Sequence, residues 1–422
     1  MSTVRRIAPA VRQVLSIVVP VQMTSSPAWD EGPLPLEHGA RRADRSTRQT
    51  YFARPAARVL YGQPERPCRW HRFLDVSQGP VTVHGAELLR TPLSDDPHRA
   101  LAVLHLSVDD GGGADGLHSV VRSLARRHDA PATPLVGGLD LEHLLAGQAR
   151  IAERGPLYTV ALLTPGRAEL PDLYSRAYRR TWSATDQWLW ALASRTSAND
   201  YPPDPESTPD LVGDMVRLSA DWTALALRDG AAFVGRRRDL GSADPFFGYA
   251  ELHVRTVYLD AFLLGMIQRS HIDQLTEHLS GIFDDTGLAG RVTAMEQRIA
   301  QFRSTYWRQH LTHHGPANDL LLAYQNQHRL PARFAEILTE ATDYARLVQS
   351  QENQQISGAL GILTIVGLPL GTALAVQQVL DDTNPWHLLL YVAAALVVTG
   401  AILTTRYGRL VLDSLRGRPK DR

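Results

Sequence analysis

Ile356 to Leu380 reads ISGALGILTIVGLPLGTALAVQQVL, 25 residues without a charge, and this stretch sets the fold expected of the chain. Roughly 20 apolar residues are enough to cross the hydrocarbon core of a bilayer. A second uncharged run of 18 residues, Leu388 to Thr405, follows the connector Asp381–His387 (DDTNPWH). Trp386 and Tyr391 stand near its start, where aromatic rings anchor a span at the interface. The pair predicts a two-helix transmembrane hairpin, 356–380 and 388–405. The connector holds two acids and no Lys or Arg, whereas the tail 406–422 carries Arg406, Arg409, Arg416, Arg418, Lys420 and Arg422. Basic flanks stay on the cytoplasmic side. The expectation is a multi-pass protein of the plasma membrane with both termini cytoplasmic and the basic tail on anionic lipid headgroups.

Working outward, long helices precede the hairpin. Val292, Met295, Ile299, Phe302 and Tyr306 follow a 3,4 spacing, and Phe334, Ile337, Ala341, Tyr344 and Val348 repeat it after Pro331, a residue suited to a helix start. Residues 246–355 therefore read as a long-helix or stalk region, either an antiparallel pair or an oligomeric stalk. Continued by heptads, the second seam passes through Gln355, Gly358, Ile362, Ile365, Pro369, Thr372 and Val376. In a homo-oligomer these residues would line an axial pore; in a single chain the stripe would pack on the second apolar helix. Gly367 and Gly371 form a G-x-x-x-G that permits close helix contact. Asp381, Asp382 and Asn384 would sit at the outer mouth, as a cation-attracting ring or as a plain polar turn.

Residues 64–245 read as a mixed α/β domain. Leu101–Val108 and Leu157–Thr164 have the look of buried strands, and Leu117–His128 and Leu139–Glu153 have helical spacing. Thr223–Leu227 and Ala231–Val234 flank Arg228-Asp229-Gly230, a hairpin signal because Gly accepts positive φ. Residues 1–63 form an N-terminal arm, partly flexible. Within it, Val14–Val21 follows Arg5, Arg6 and Arg12 but is too short and too Pro-interrupted for a span, so it reads as a strand or a loosely packed arm with the mature start near Met1. Thr24 to Gln63, rich in Pro, Arg, Ser and Gly, reads as a loop.

The 422 residues suffice for two or three domains. Lys+Arg and Asp+Glu are both 44, so no basic excess points to nucleic acid. Cys68 is the only cysteine, which excludes an intrachain disulfide and a cysteine-rich metal site. Gly111–Gly116 fits G-x-G-x-x-G, yet Asp109 and Asp110 would oppose phosphates, and a flexible loop is the expectation. His310, His313 and His314 have metal-ligand spacing but no nearby acid, and read as a solvated helix end. Arg236–Arg238 reads as a solvated turn. With no G-x-S-x-G, H-E-x-x-H or Walker loop, an enzyme is not expected.

Leu363-Thr364-Ile365 followed by Leu368-Pro369-Leu370, set behind an α/β domain and a stalk and ahead of a basic tail, resembles the CorA magnesium-channel family. The resemblance implies a homo-oligomer, a pentamer in that family, with a divalent cation such as magnesium as cargo and first spans lining its path. The family's Gly-Met-Asn triplet is absent: Gln378, Val379 and Leu380 stand there. The fold class expected is thus an α+β membrane protein with a cytoplasmic α/β domain, a helical stalk and a C-terminal hairpin. Two functions follow as expectations. One is a cation pathway; the other is a non-conducting, membrane-anchored sensor or effector whose cytoplasmic domain binds a ligand or protein.

Overall fold

The computed structural model describes residues 10–24, 27–63, 65–91, 96–109, 115–125, 135–136, 138–152, 157–167, 169–197, 202–283, 288–307, 312, 315–379 and 385–403. Its strands are β1 (Ala10–Met23), β2 (Asp30–Glu31), β3 (Leu36–His38), β4 (Arg41–Ala43), β5 (Arg69–Gln78), β6 (Val81–Arg90) and β7 (Arg99–Val108), then β8 (Leu135–Val136), β9 (Leu139–Asp140), β10 (Ala149–Ile151), β11 (Tyr158–Pro165), β12 (Val216–Ser219), β13 (Trp222–Ala226) and β14 (Gly230–Gly235). The helices are α1 (Arg45–Gln49), α2 (Arg54–Tyr61), α3 (Asp115–Ala125), α4 (Leu141–Leu144), α5 (Ala184–Ser194) and α6 (Thr208–Leu211), then α7 (Pro245–His253), α8 (Leu259–Ser280), α9 (Leu288–Thr305), α10 (Gly315–Gln327), α11 (Leu330–Val379) and α12 (Pro385–Leu403). A π turn, Val254–Tyr258, joins α7 to α8.

The chain divides into two units, 1–276 with 298–335, and 277–297 with 336–422. The first unit is built on a ten-stranded sheet in the order β12-β13-β14-β11-β1-β7-β6-β5-β2, with β10 also paired to β1. Its pairs are antiparallel apart from β11 with β14. The run Val14–Val21 forms the centre of this sheet rather than an arm. Strand alternation sends Leu15, Ile17 and Val19 into a core with Leu117, Val121, Leu189 and Leu192 of α3 and α5, and leaves Ser16 facing the other way. Pro20 is tolerated because it sits between the β11 pairing, which ends at Val18, and the β10 pairing, which begins at Val21. The β13–β14 hairpin forms as expected, with Ala226 opposite Ala231, but Gly230 does not take a positive φ: it opens β14 and pairs with Thr159 of β11.

Two stretches differ from expectation. The loop expected over Thr24–Gln63 contains α1 and α2; Asp44 caps α1 by accepting from the Thr47 N–H at 3.0 Å, which holds its carboxyl at a pKa of about 2. The helix expected over Leu139–Glu153 is only the single turn α4. Asp140 caps it, then Ala146 and Gly147 take positive φ of 50° and 70° and turn the chain into β10.

Among the described residues no helix is long and apolar enough to cross a membrane. The transmembrane hairpin, the membrane fold class and the plasma-membrane placement with cytoplasmic termini are corrected accordingly. Ile356–Leu380 is not an element of its own. As far as Val379 it belongs to the 50-residue α11, whose earlier turns carry Arg333, Glu336, Glu340, Asp343, Arg346 and Glu352, so the helix that contains the run is polar for much of its length. In the second unit Leu370, Leu374 and Val379 of α11 and Leu389, Leu390 and Val397 of α12 are exposed. The first heptad seam and the start of the second are buried within the chain, whereas Tyr344 and Val348 of the second are half-buried. Val292, Met295, Ile337 and Ala341 are buried in the second unit, where Phe283 meets Tyr344 edge-on at 4.9 Å. Phe302 and Trp307 meet Phe334 in the first, with ring centroids 5.0 and 5.2 Å apart.

Candidate functional site: a cleft and a buried ionic ladder

The strand β5 separates two polar constellations, one on each face of the sheet. On the face to which Ser16 points, where α1, α2 and α8 supply partners, an ionic ladder crosses four neighbouring strands, β1, β7, β6 and β5. Ser16 Oγ lies 3.3 Å from His105 Nδ1, and His105 Nε2 lies 2.9 Å from Glu87 Oε1. Glu87 Oε2 accepts from Arg69 Nε, and Arg69 Nη1 donates to Asp260 Oδ1 at 2.7 Å. Asp260 Oδ2 also accepts from Tyr61 Oη at 2.7 Å and from Arg48 Nη1 at 3.4 Å. Ser16 is 1% exposed, and Arg48, Arg69, Glu87, His105 and Asp260 are 0% exposed. Two arginines face two carboxylates, so the buried charge balances.

Burial alone would raise the Glu87 pKa, but the Arg69 guanidinium and the His105 hydrogen bond hold it well below the usual carboxylate range. Burial lowers the His105 pKa against the pull of Glu87, keeping the ring neutral. Burial, with Asp260 beside it, pushes Tyr61 far up, so its hydroxyl stays a donor. Asp260 stands in the first turn of α8, directly after the π turn, and Arg255 within that turn is buried as well.

Ser16, His105 and Glu87 have the connectivity of a nucleophile, base and acid. Their burial denies that role, because a substrate must reach the serine and the cleft described next is lined by none of the three.

That cleft, of about 750 Å³, opens on the other face. One wall is β5, through Arg72, Leu74 and Val76, alternate residues of the strand. The opposite wall is the α4 segment, through Asp140, Glu142, His143 and Leu144. Ala146, Gly147 and Arg150 complete it, with Thr24 at one end. The turn is pinned: Thr24 N–H donates to Gln148 O at 3.0 Å, Thr24 Oγ1 to Gly147 O at 3.2 Å, and Ala28 N–H to Gln148 Oε1 at 3.0 Å. Ala146 is a non-glycine residue in the left-handed region, a strained conformation that clusters at binding sites. Among the described residues Arg72 and Arg150 have no ion-pair partner. Beyond Asp30, which pairs with His71, no described strand lies against the outer edge of β5.

The residues singled out from the sequence lie elsewhere. Gln355, Gly358, Ile362, Ile365, Pro369, Thr372 and Val376 all belong to α11. Thr372 and Val376 are exposed, and the side chains of the other five lie outside the described ones. Asp381, Asp382 and Asn384, Gly111–Ala114, the three histidines 310, 313 and 314, and the tail 406–422 are outside the described residues. Arg237 is a clamp rather than a solvated turn: it donates to Asp244 at 2.6 Å and Asp221 at 3.0 Å and covers the Phe247 ring at 4.6 Å. Among the described residues no three His, Cys, Asp or Glu side chains gather as metal ligands. The cleft carries no sequence motif; its one legible trace is the polar–apolar alternation Arg72, Leu74, Val76. Comparison with protein-family models, curated proteins and solved structures gives no match.

Proposed function

We propose that the first unit is a non-catalytic binding module that takes its ligand in the cleft between β5 and the α4 segment. One observation carries this reading: the cleft presents two uncommitted arginines beside half-buried Leu74 and Val76, whereas the charges of the ladder behind it are spent on one another. Binding sites combine an apolar floor with a few convergent polar groups. Of the two functions expected from the sequence, this keeps the ligand- or protein-binding effector and drops its membrane anchor. A cation path through spanning helices lost its premise with them.

The test is a fragment screen on the full chain by protein-observed NMR. Fragments should cluster on resonances of β5 and the α4 segment. His143→Trp, which fills the cleft from an exposed position, should weaken them at least tenfold without changing the circular dichroism spectrum. Fragments that ignore the cleft, or bind the filled variant equally well, would sink the reading.

A further inference from the structure

We infer that the cleft's ligand is an extended polypeptide segment that adds as a strand to the outer edge of β5, a reading that rests on the cleft being a binding site. Three features of β5 converge on it. From Arg72 to Gln78 the outer edge has no partner strand among the described residues, and so offers about 23 Å of backbone donors and acceptors. Another backbone is the ligand that satisfies such a row at a repeat of two residues.

The near wall of the cleft is made of alternate residues of this same strand. A strand laid along its outer edge points every second side chain into the cleft, which converts backbone affinity into side-chain selection. The lining then fixes the chemistry of the occupant. Leu74 and Val76 are half-buried and apolar, and Arg72, two residues before Leu74, makes no ion pair among the described residues although Asp140 and Glu142 line the opposite wall. The segment should therefore carry two apolar residues and one acidic residue at alternate positions, with the acid at Arg72 and within the field of Arg150.

The edge is also built to refuse indiscriminate partners. The β5–β6 register shifts between Phe73 and Val76, a bulge that interrupts the flat ladder. Phe73 is 58% exposed on the face away from the cleft, and Asp75 adds a charge to the strand. A long flat strand from an aggregating neighbour meets the bulge and the exposed Asp75 carboxylate together, whereas a short segment anchored in the cleft need not extend past them.

The probe is a displayed library of random twelve-residue peptides selected on the full chain. Selected peptides should show the acidic–apolar alternation. Single N-methylation along a chosen peptide should weaken binding at least tenfold at every second amide and little at those between, since alternate N–H groups face β5. Arg72→Glu should weaken the same peptide at least tenfold, and exchanging the peptide's acid for Lys should restore binding to that variant. An empty selection, sensitivity to N-methylation without the two-residue period, or no response to the charge exchange overturns strand addition. If fragments still occupy the cleft in those cases, the binding module stands and only its ligand class falls.

Discussion

Arg69 and Arg72 lie three residues apart on one strand and meet opposite fates. Arg69 points to the face of the ladder, where it is fully buried between Glu87 and Asp260. Arg72 points to the cleft, exposed and with no ion-pair partner among the described residues. A buried guanidinium is tolerable only when neutralised and hydrogen-bonded, so the ladder is a closed set whose members fix one another. An exposed one is solvated and costs little to leave uncommitted, so it is available to a ligand. The difference separates charge that specifies the fold from charge that can specify a partner.

Breaking the closed side should have the largest effect. Asp260→Ala leaves Arg48 and Arg69 buried without one of their two carboxylates, and should cost about 3–5 kcal/mol of unfolding free energy in urea titration. A loss below about 1 kcal/mol would show that the ladder is solvated in solution.

Acidification sharpens the same side. His105 and Glu87 both have depressed pKa values in the folded protein, relative to ordinary values of 6.5 and 4.5. Such groups add stability that is complete above the unfolded-state pKa and lost as pH falls through the folded one. Unfolding free energy should therefore decline below pH about 6.5 and more steeply below about 4.5. His84 and His328, the latter at a pKa of about 4, act in the same direction. His105→Gln should accordingly flatten the upper part of the decline and leave the rest; an unchanged profile would remove His105 from the account.

The open side should respond more gently. Ala146→Gly relieves a left-handed alanine and should stabilise the protein by about 1 kcal/mol, read as a rise in Tm. If the strain serves to hold the cleft wall, the same change should weaken fragment binding. Arg72→Glu should move stability by less than about 0.5 kcal/mol while altering ligand selection. A large stability change there would mean that Arg72 is structural and would undo the comparison.

What the sequence made legible follows from the range of the interactions involved. The β13–β14 hairpin is written in adjacent residues, Asp229-Gly230 between apolar runs, and forms as read. β7 and β11 show as apolar runs of strand length for the same reason. The ladder draws Ser16, Arg48, Tyr61, Arg69, Glu87, His105 and Asp260 from seven separate elements. No local period joins them, and Arg48 and Tyr61 come from a stretch whose Pro, Ser and Gly content reads as loop. The cleft was hidden because the helical spacing in Leu139–Glu153 outweighed the break that Ala146-Gly147 imposes. The apolar run Ile356–Leu380 was over-read: counting uncharged residues does not reveal that their helix begins at Leu330 among charges.

The position of β1 has a kinetic consequence. It lies at the middle of the sheet, paired with β7 on one side and with β11 and β10 on the other, at separations reaching the 152 residues between Arg12 and Thr164. During synthesis this strand emerges with neither neighbour made; β7 can complete one side, but the other side stays open until β10 and β11 have left the ribosome. Rates of folding fall as pairing becomes less local, and an unpaired apolar strand waiting in the open is prone to the wrong partner. The nascent chain should therefore engage chaperones over the interval from β1 to β11, and crosslinking of stalled chains to a chaperone should fall once β11 has emerged.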